Sequence, residues 1–178
     1  MSSFKEIVTK AVIGKAKKNS SNTFSLTPEE MPNTVLGCWV INHKFSGTKG
    51  SNGSVLVTGS FDVNVWYSYN DDKSTAVTTK NFTYSDTMNI PLKEDHNITD
   101  ASEIIVRCLR QPTVANVNVE GGEVKLDIEK ELGVEIVGDT KVKISVEDDE
   151  DDYDEIFDEV DDPILDEINE DYLNEASN

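Results

Sequence analysis

Few residues in this chain have the types and spacing that catalysis or metal binding demands. Its two histidines are His43, beside Lys44 in a strand-like run, and His96, in a polar loop with Asp95 and Asp100. Asp95, His96 and Asp100 offer carboxylate and imidazole donors to a cation, but loops rich in Asp, Asn and Thr are ordinarily turns. No HxxxH, CxxC or GxSxG spacing is present. The C-terminal carboxylates lack the spacing and glycine of a calcium-binding loop. Gly14 and Gly121-Gly122 form no phosphate cradle. The expectation is therefore no catalytic residue, no metal and no cofactor, with an enzyme ranked last among the function classes. The aromatic residues are more informative. Trp39, Trp66, Tyr67 and Tyr69 read mostly as core, yet Trp66 falls on the polar register of a long strand. An exposed indole there suits a protein interface anchor or a sugar-stacking platform. Two classes follow, an interaction scaffold and a carbohydrate-binding module. Cys38 and Cys108 sit in strand-like runs and read as core thiols, with a disulfide formed late in an oxidised assembly as the alternative.

The elements that must position these residues are strands. In residues 53–70, GSVLVTGSFDVNVWYSYN, the odd positions are Val, Val, Gly, Phe, Val, Val, Tyr, Tyr and the even ones mostly polar. That alternation puts one edge on a core and the other outward, and no helix can do so. The run predicts a strand on the order of 50 Å long, with a bulge or bend at Gly59. Residues 4–18 predict a short helical start running into a strand, Asn19–Asn22 a turn, and Thr23–Leu26 a short strand. Val35–Phe45 predicts a buried strand, and Asn52-Gly53 a turn. After Asp71-Asp72, Ala76, Thr78, Phe82 and Tyr84 predict a second long antiparallel strand. Residues 86–102 predict loop. Residues 104–109 predict a strand covered on both faces that ends at Gln111-Pro112. Gly121-Gly122 predicts a hairpin turn into Val124, Leu126, Ile128, Leu132, Val134 and Ile136, with Lys130 the one break, and Gly138-Asp139 a further turn. Seven or eight strands without a long helix point to an all-β fold, a β-sandwich-like single domain with long antiparallel strands.

Charge divides the chain. Of 35 acidic residues, 17 follow Val146, where no Lys or Arg occurs, so nearly all of the net −19 belongs to the tail. The first stretch carries five lysines against Glu6 and lacks a continuous apolar segment, so no secretory signal is expected. The longest apolar run, Cys38–Ile41, is far too short to cross a bilayer, so no transmembrane segment is expected. A body without net positive charge and an acidic tail disfavour nucleic acid. Residues 1–146 are expected to form a β-sandwich assembly domain, and 147–178 a disordered or partly helical acidic tail for partner docking. Tyr153, Phe157, Ile164, Leu165, Ile168 and Tyr172 are its candidate docking residues. Asp162-Pro163 would open a helix that places Leu165, Ile168 and Tyr172 on one face.

EIVTKAV at 6–12, LGCWVINHK at 36–44, DVNVWYSY at 62–69, RQPT at 110–113, VGDTKVKI at 137–144 and EINEDYL at 167–173 together carry a resemblance. The chain resembles the outer spore coat protein E family of endospore-forming bacteria. The resemblance implies a non-enzymatic morphogenetic scaffold, made in the mother-cell cytoplasm during sporulation and then part of the spore coat. It implies a homo-oligomer that forms a shell around the forespore, attaches to coat basement-layer proteins and recruits outer-coat or exosporium proteins. In that reading Asp148–Leu173 does the recruiting. The competing reading is a β-sandwich module that stacks Trp66 on spore-envelope glycans.

Overall fold

In the computed structural model, residues 3–93 and 96–146 are described, and strands account for most of them. Six are present: β1 (Ser3–Leu26), β2 (Thr34–Lys49), β3 (Ser54–Tyr69), β4 (Ser74–Asn89), β5 (Glu103–Glu120) and β6 (Glu123–Val146). They form two three-stranded sheets, ordered β1-β6-β5 and β2-β3-β4. The fold is all-β, as the alternation demands, and the described residues contain no helix. The described residues fall into two compact units, a larger one between Val8 and Lys141 and a smaller one that includes residues 3–7 and 142–146. In the smaller unit Lys143 Nζ lies 3.7 Å from Glu6 Oε1. The sandwich core belongs to the larger unit.

β3 is the central strand of its sheet and behaves as its pattern requires. Val55, Val57, Phe61, Val63, Val65 and Tyr67 are buried, while Thr58 and Trp66 on the other register are exposed. β6 is central in the opposite sheet and supplies the matching apolar ridge, from Val124 to Ile136. The left-handed residues of the connections are ones that tolerate φ > 0: Asn52 and Gly53, then Asn70, Asp71 and Asp72, then Gly121 and Gly122.

The core is two clusters rather than one. Val55 and Val57 pack with Ile13, Met88, Leu132, Val134 and Ile136. Phe61, Val63, Val65 and Tyr67 pack with Leu26, Phe82, Val124, Leu126 and Ile128. Between them lie the two positions that interrupt the alternation, Gly59 in β3 and Lys130 in β6. Tyr84 occupies the space left at Gly59, where an added Cβ would fall 2.6 Å from the tyrosine Cε1. Lys130, only 3% exposed, holds its ammonium 4.0 Å from the Tyr84 ring centroid. Its Nζ is 3.0 Å from Asp86 Oδ2 and donates to Ser20 Oγ at 2.9 Å. Tyr84 donates to His43 Nε2 at 2.7 Å, and the other ring nitrogen donates to Gln111 Oε1 at 3.2 Å. A polar belt with members from β1, β2, β4, β5 and β6 thus crosses the sandwich between two dry halves. Such a charge inside a core is tolerable only because it is paired and hydrogen-bonded.

Several expectations are corrected. β1 is one strand from Ser3 to Leu26, without a helical start or a turn at Asn19–Asn22. Phe4, Ile7, Val8, Ala11 and Val12 have helical spacing but form no buried face, since Phe4 and Val8 are exposed, and pairing with β6 decides the conformation. Gly59 carries no bulge, because β3 and β4 stay in register from Ser54↔Asn89 to Tyr69↔Ser74. The irregularity lies in the partner, between Ile41 and Lys44 of β2, where Asn42 adopts φ 55°. β4 extends to Asn89, so the loop begins later than expected. Pro112 does not end β5, which continues to Glu120 through three register shifts. An edge strand can host a proline where a central one cannot, because the missing N–H need not face a ladder. Nor is β5 covered on both faces, since Leu109 points outward, exposed. Gly138-Asp139 makes no turn, and β6 runs on to Val146. Fusing these pieces leaves six strands, not seven or eight.

Candidate functional site

The outward face of the β2-β3-β4 sheet brings together the side chains with recognisable binding chemistry. Antiparallel register stacks them in rows across three strands. Gly37, Trp66 and Val77 form one row, and Trp39, Asn64 and Thr79 the next. Ile41, Asp62 and Asn81 follow, and then Lys44, Ser60 and Thr83. Directly opposed residues share a face, so each row presents its side chains together.

Trp66, the candidate anchor, stands at one end of this face and is 43% exposed. Gly37 opposite it has no side chain, and a Cβ there would lie 3.7 Å from the indole Cε3. The ring therefore reaches over a bare stretch of β2. Trp39, in the adjacent row, is 44% exposed, and Leu36, Ile41 and Val77 are exposed as well. β2 is thus not the buried strand its hydrophobicity suggested. It lies at a sheet edge, with Val35, Cys38 and Val40 packed inward and the other apolar register turned out.

Asp62 is the fixed polar point. Asn42 Nδ2 donates to its Oδ2 at 2.9 Å and Asn81 Nδ2 to its Oδ1 at 2.8 Å. These two hydrogen bonds, Asn42's first, and then the charge of Lys44 hold the carboxyl below the ordinary carboxylate range. Beside it, Thr79 Oγ1 donates to Asn64 Oδ1. Among the described residues each amide keeps one half free: the carbonyls of Asn42 and Asn81 to accept, the Asn64 Nδ2 to donate. Beyond Asp62 the face becomes a hydroxyl-rich concavity of about 680 Å³, lined in part by Ser46, Thr58, Ser60, Thr83 and Ser85.

The remaining candidates are placed as follows. Tyr153, Phe157, Ile164, Leu165, Ile168 and Tyr172 lie outside the described residues, as does Asp95. Asp100 faces Lys49, whose Nζ is 3.5 Å from Oδ1. No group of three His, Cys, Asp or Glu side chains is gathered as for a metal among the described residues. Tyr67 is core and Tyr69 half-buried. Cys38 and Cys108 are free, half-buried thiols, and burial pushes the ionisation of both upward. Sequence reasoning noted Asp62 and Asn64 only as members of a polar register. Their link to Asn42, Asn81 and Thr79 depends on strand register and on the β2 bulge, which the alternation pattern does not encode.

The chain is thus a sandwich of long strands with an aromatic and amide-bearing outward face. This chain belongs to the outer spore coat protein E (CotE) family, whose family model matches residues 3–175, nearly the whole sequence. The likeness carried by WVINHK and DVNVWYSY thus extends over nearly the full chain, which stands among spore-coat proteins. No curated protein and no solved structure matches it.

Proposed function

We propose that the protein is a non-enzymatic morphogenetic scaffold of the spore coat. It self-associates around the forespore through its β-rich body and recruits outer-coat or exosporium proteins with its acidic tail. It would be made in the mother-cell cytoplasm and attach to basement-layer proteins before the outer layers arrive. Membership in a spore-coat family over nearly the whole chain is the observation that carries this reading. The edges of the sandwich support it. Among the described residues β4 pairs with β3 on one side only, so one line of backbone donors and acceptors stays outside the ladder along 16 residues. An unpaired edge of that length is a template for another strand. In this division residues 1–146 assemble, and 147–178 dock partners through Tyr153, Phe157, Ile164, Leu165, Ile168 and Tyr172.

Light scattering coupled to size exclusion tests the assignment, on the full chain and on a chain with those six tail residues changed to Ser. Both should form large oligomers that grow with concentration, and only the unaltered chain should retain outer-coat proteins on a column. Monomers at every concentration would remove the self-assembling scaffold. Loss of oligomers in the tail variant alone would reverse the roles of body and tail.

A further inference from the structure

We propose that the outward face of the β2-β3-β4 sheet binds an uncharged glycan, laid along the strands from Trp66 toward Ser60. This goes beyond the scaffold reading and does not depend on it. Three properties select that ligand. The first is charge: in the rows from Trp66 to Ser60 the only ionic side chains are Asp62 and Lys44, one of each sign, in a chain of net charge −19. A face left neutral in so acidic a protein is not built for nucleic acid or for a basic protein partner. The second is the pair of exposed indoles in adjacent rows, Trp66 and Trp39, which offer flat apolar surface to the C–H faces of sugar rings. The third is the fixed polar array. Asp62 is gripped from both sides by Asn42 and Asn81, and its orientation is set before any ligand arrives. Free acceptors on Asp62, Asn42 and Asn81 and a free donor on Asn64 suit neighbouring hydroxyls, each of which donates and accepts. Trp66 and Asp62 are four positions apart on one strand, ~13 Å, so a ligand touching both must be an oligomer rather than a single sugar. The hydroxyl-lined concavity around Thr58 and Ser60 continues the track.

The test is tryptophan fluorescence and calorimetric titration of the full-length protein with cellohexaose, xylohexaose and chitohexaose. At least one should bind saturably, with an affinity unchanged between low and high salt. The identity of the tightest hexamer separates plain from N-acetylated glycans. Trp66→Ala should weaken binding at least ~10-fold, Trp66→Phe should restore part of it, and Asp62→Asn should weaken it several-fold. Leu109→Ala, on the opposite sheet, should leave it unchanged, and circular dichroism checks that each variant is folded. The proposal is overturned if no hexamer binds in the millimolar range, or if folded Trp66→Ala binds as the parent does. A response that vanishes with salt also overturns it. If Trp66→Ala changes oligomer size while the parent ignores all three sugars, the face is a contact between protein molecules instead.

Discussion

His43, Gly59 and Lys130 each break a local rule, and each is explained by the same few ångströms of structure. Burial, opposed by the Gln111 hydrogen bond and reinforced by the charge of Lys130, lowers the pKa of His43 from its ordinary 6.5. The folded protein therefore binds fewer protons than the unfolded chain as pH falls below about 6.5. By linkage, the contribution of His43 is intact above that value and lost as pH falls through it toward the folded pKa. Urea midpoints measured from pH 8 to 5 should fall, and His43→Gln should flatten that slope. Gly59→Ala places a methyl against the Tyr84 ring, and overpacking of this kind costs about 1–3 kcal/mol. Asp86→Ala should cost more, ~3–5 kcal/mol, because it strands the Lys130 ammonium in a site where that residue is 3% exposed. Lys130→Leu combined with Asp86→Leu should recover most of this loss. Thermal melts read the difference as roughly 2–4 °C per kcal/mol for a chain of this size.

Strands are where the sequence was most and least readable. β3 and β6 are central, and burial on one face writes a period of two directly into them. Edge strands escape that discipline. β1 mixes two periodicities because much of its surface meets water, and only its neighbour makes it a strand. β5 keeps Pro112 in its middle for the same reason. Polar breaks in a central strand misled in the opposite direction: Gly138-Asp139 has turn composition, but both keep negative φ within β6. The bulge at Asn42-His43 sets two residues of β2 against Phe61 alone, so Ile41 and Asn42 both lie on the side of Asp62 before His43 turns in to Tyr84, a phase break that simple alternation does not encode. Asn is suited to the φ of 55° that this requires. Asn42→Val should therefore lower stability by about 1–3 kcal/mol through backbone strain alone. It should also remove a donor from Asp62 and raise that carboxyl's pKa, which carbon-detected NMR titration would follow.

For the whole molecule, the sequence disclosed the class of fold and one indole of the candidate face. The rest of that face is a product of register, because Asn42, Asp62 and Asn81 are distant in sequence and meet only when three strands align. A self-assembling reading belongs to this scale too. If edge pairing drives it, oligomer size in light scattering should be nearly insensitive to salt, whereas contacts between lysines and the acidic tail would weaken as screening rises. The belt around Lys130 has a mechanical consequence. In a sandwich of valines and isoleucines alone, sliding one sheet past the other by one pleat repeat, ~7 Å, exchanges one greasy contact for another. Here that slide would press the ammonium of Lys130 into Val and Leu and leave Asp86 without it. The belt acts as a key in a keyway. Force along the strands meets a detent at the middle of the sandwich.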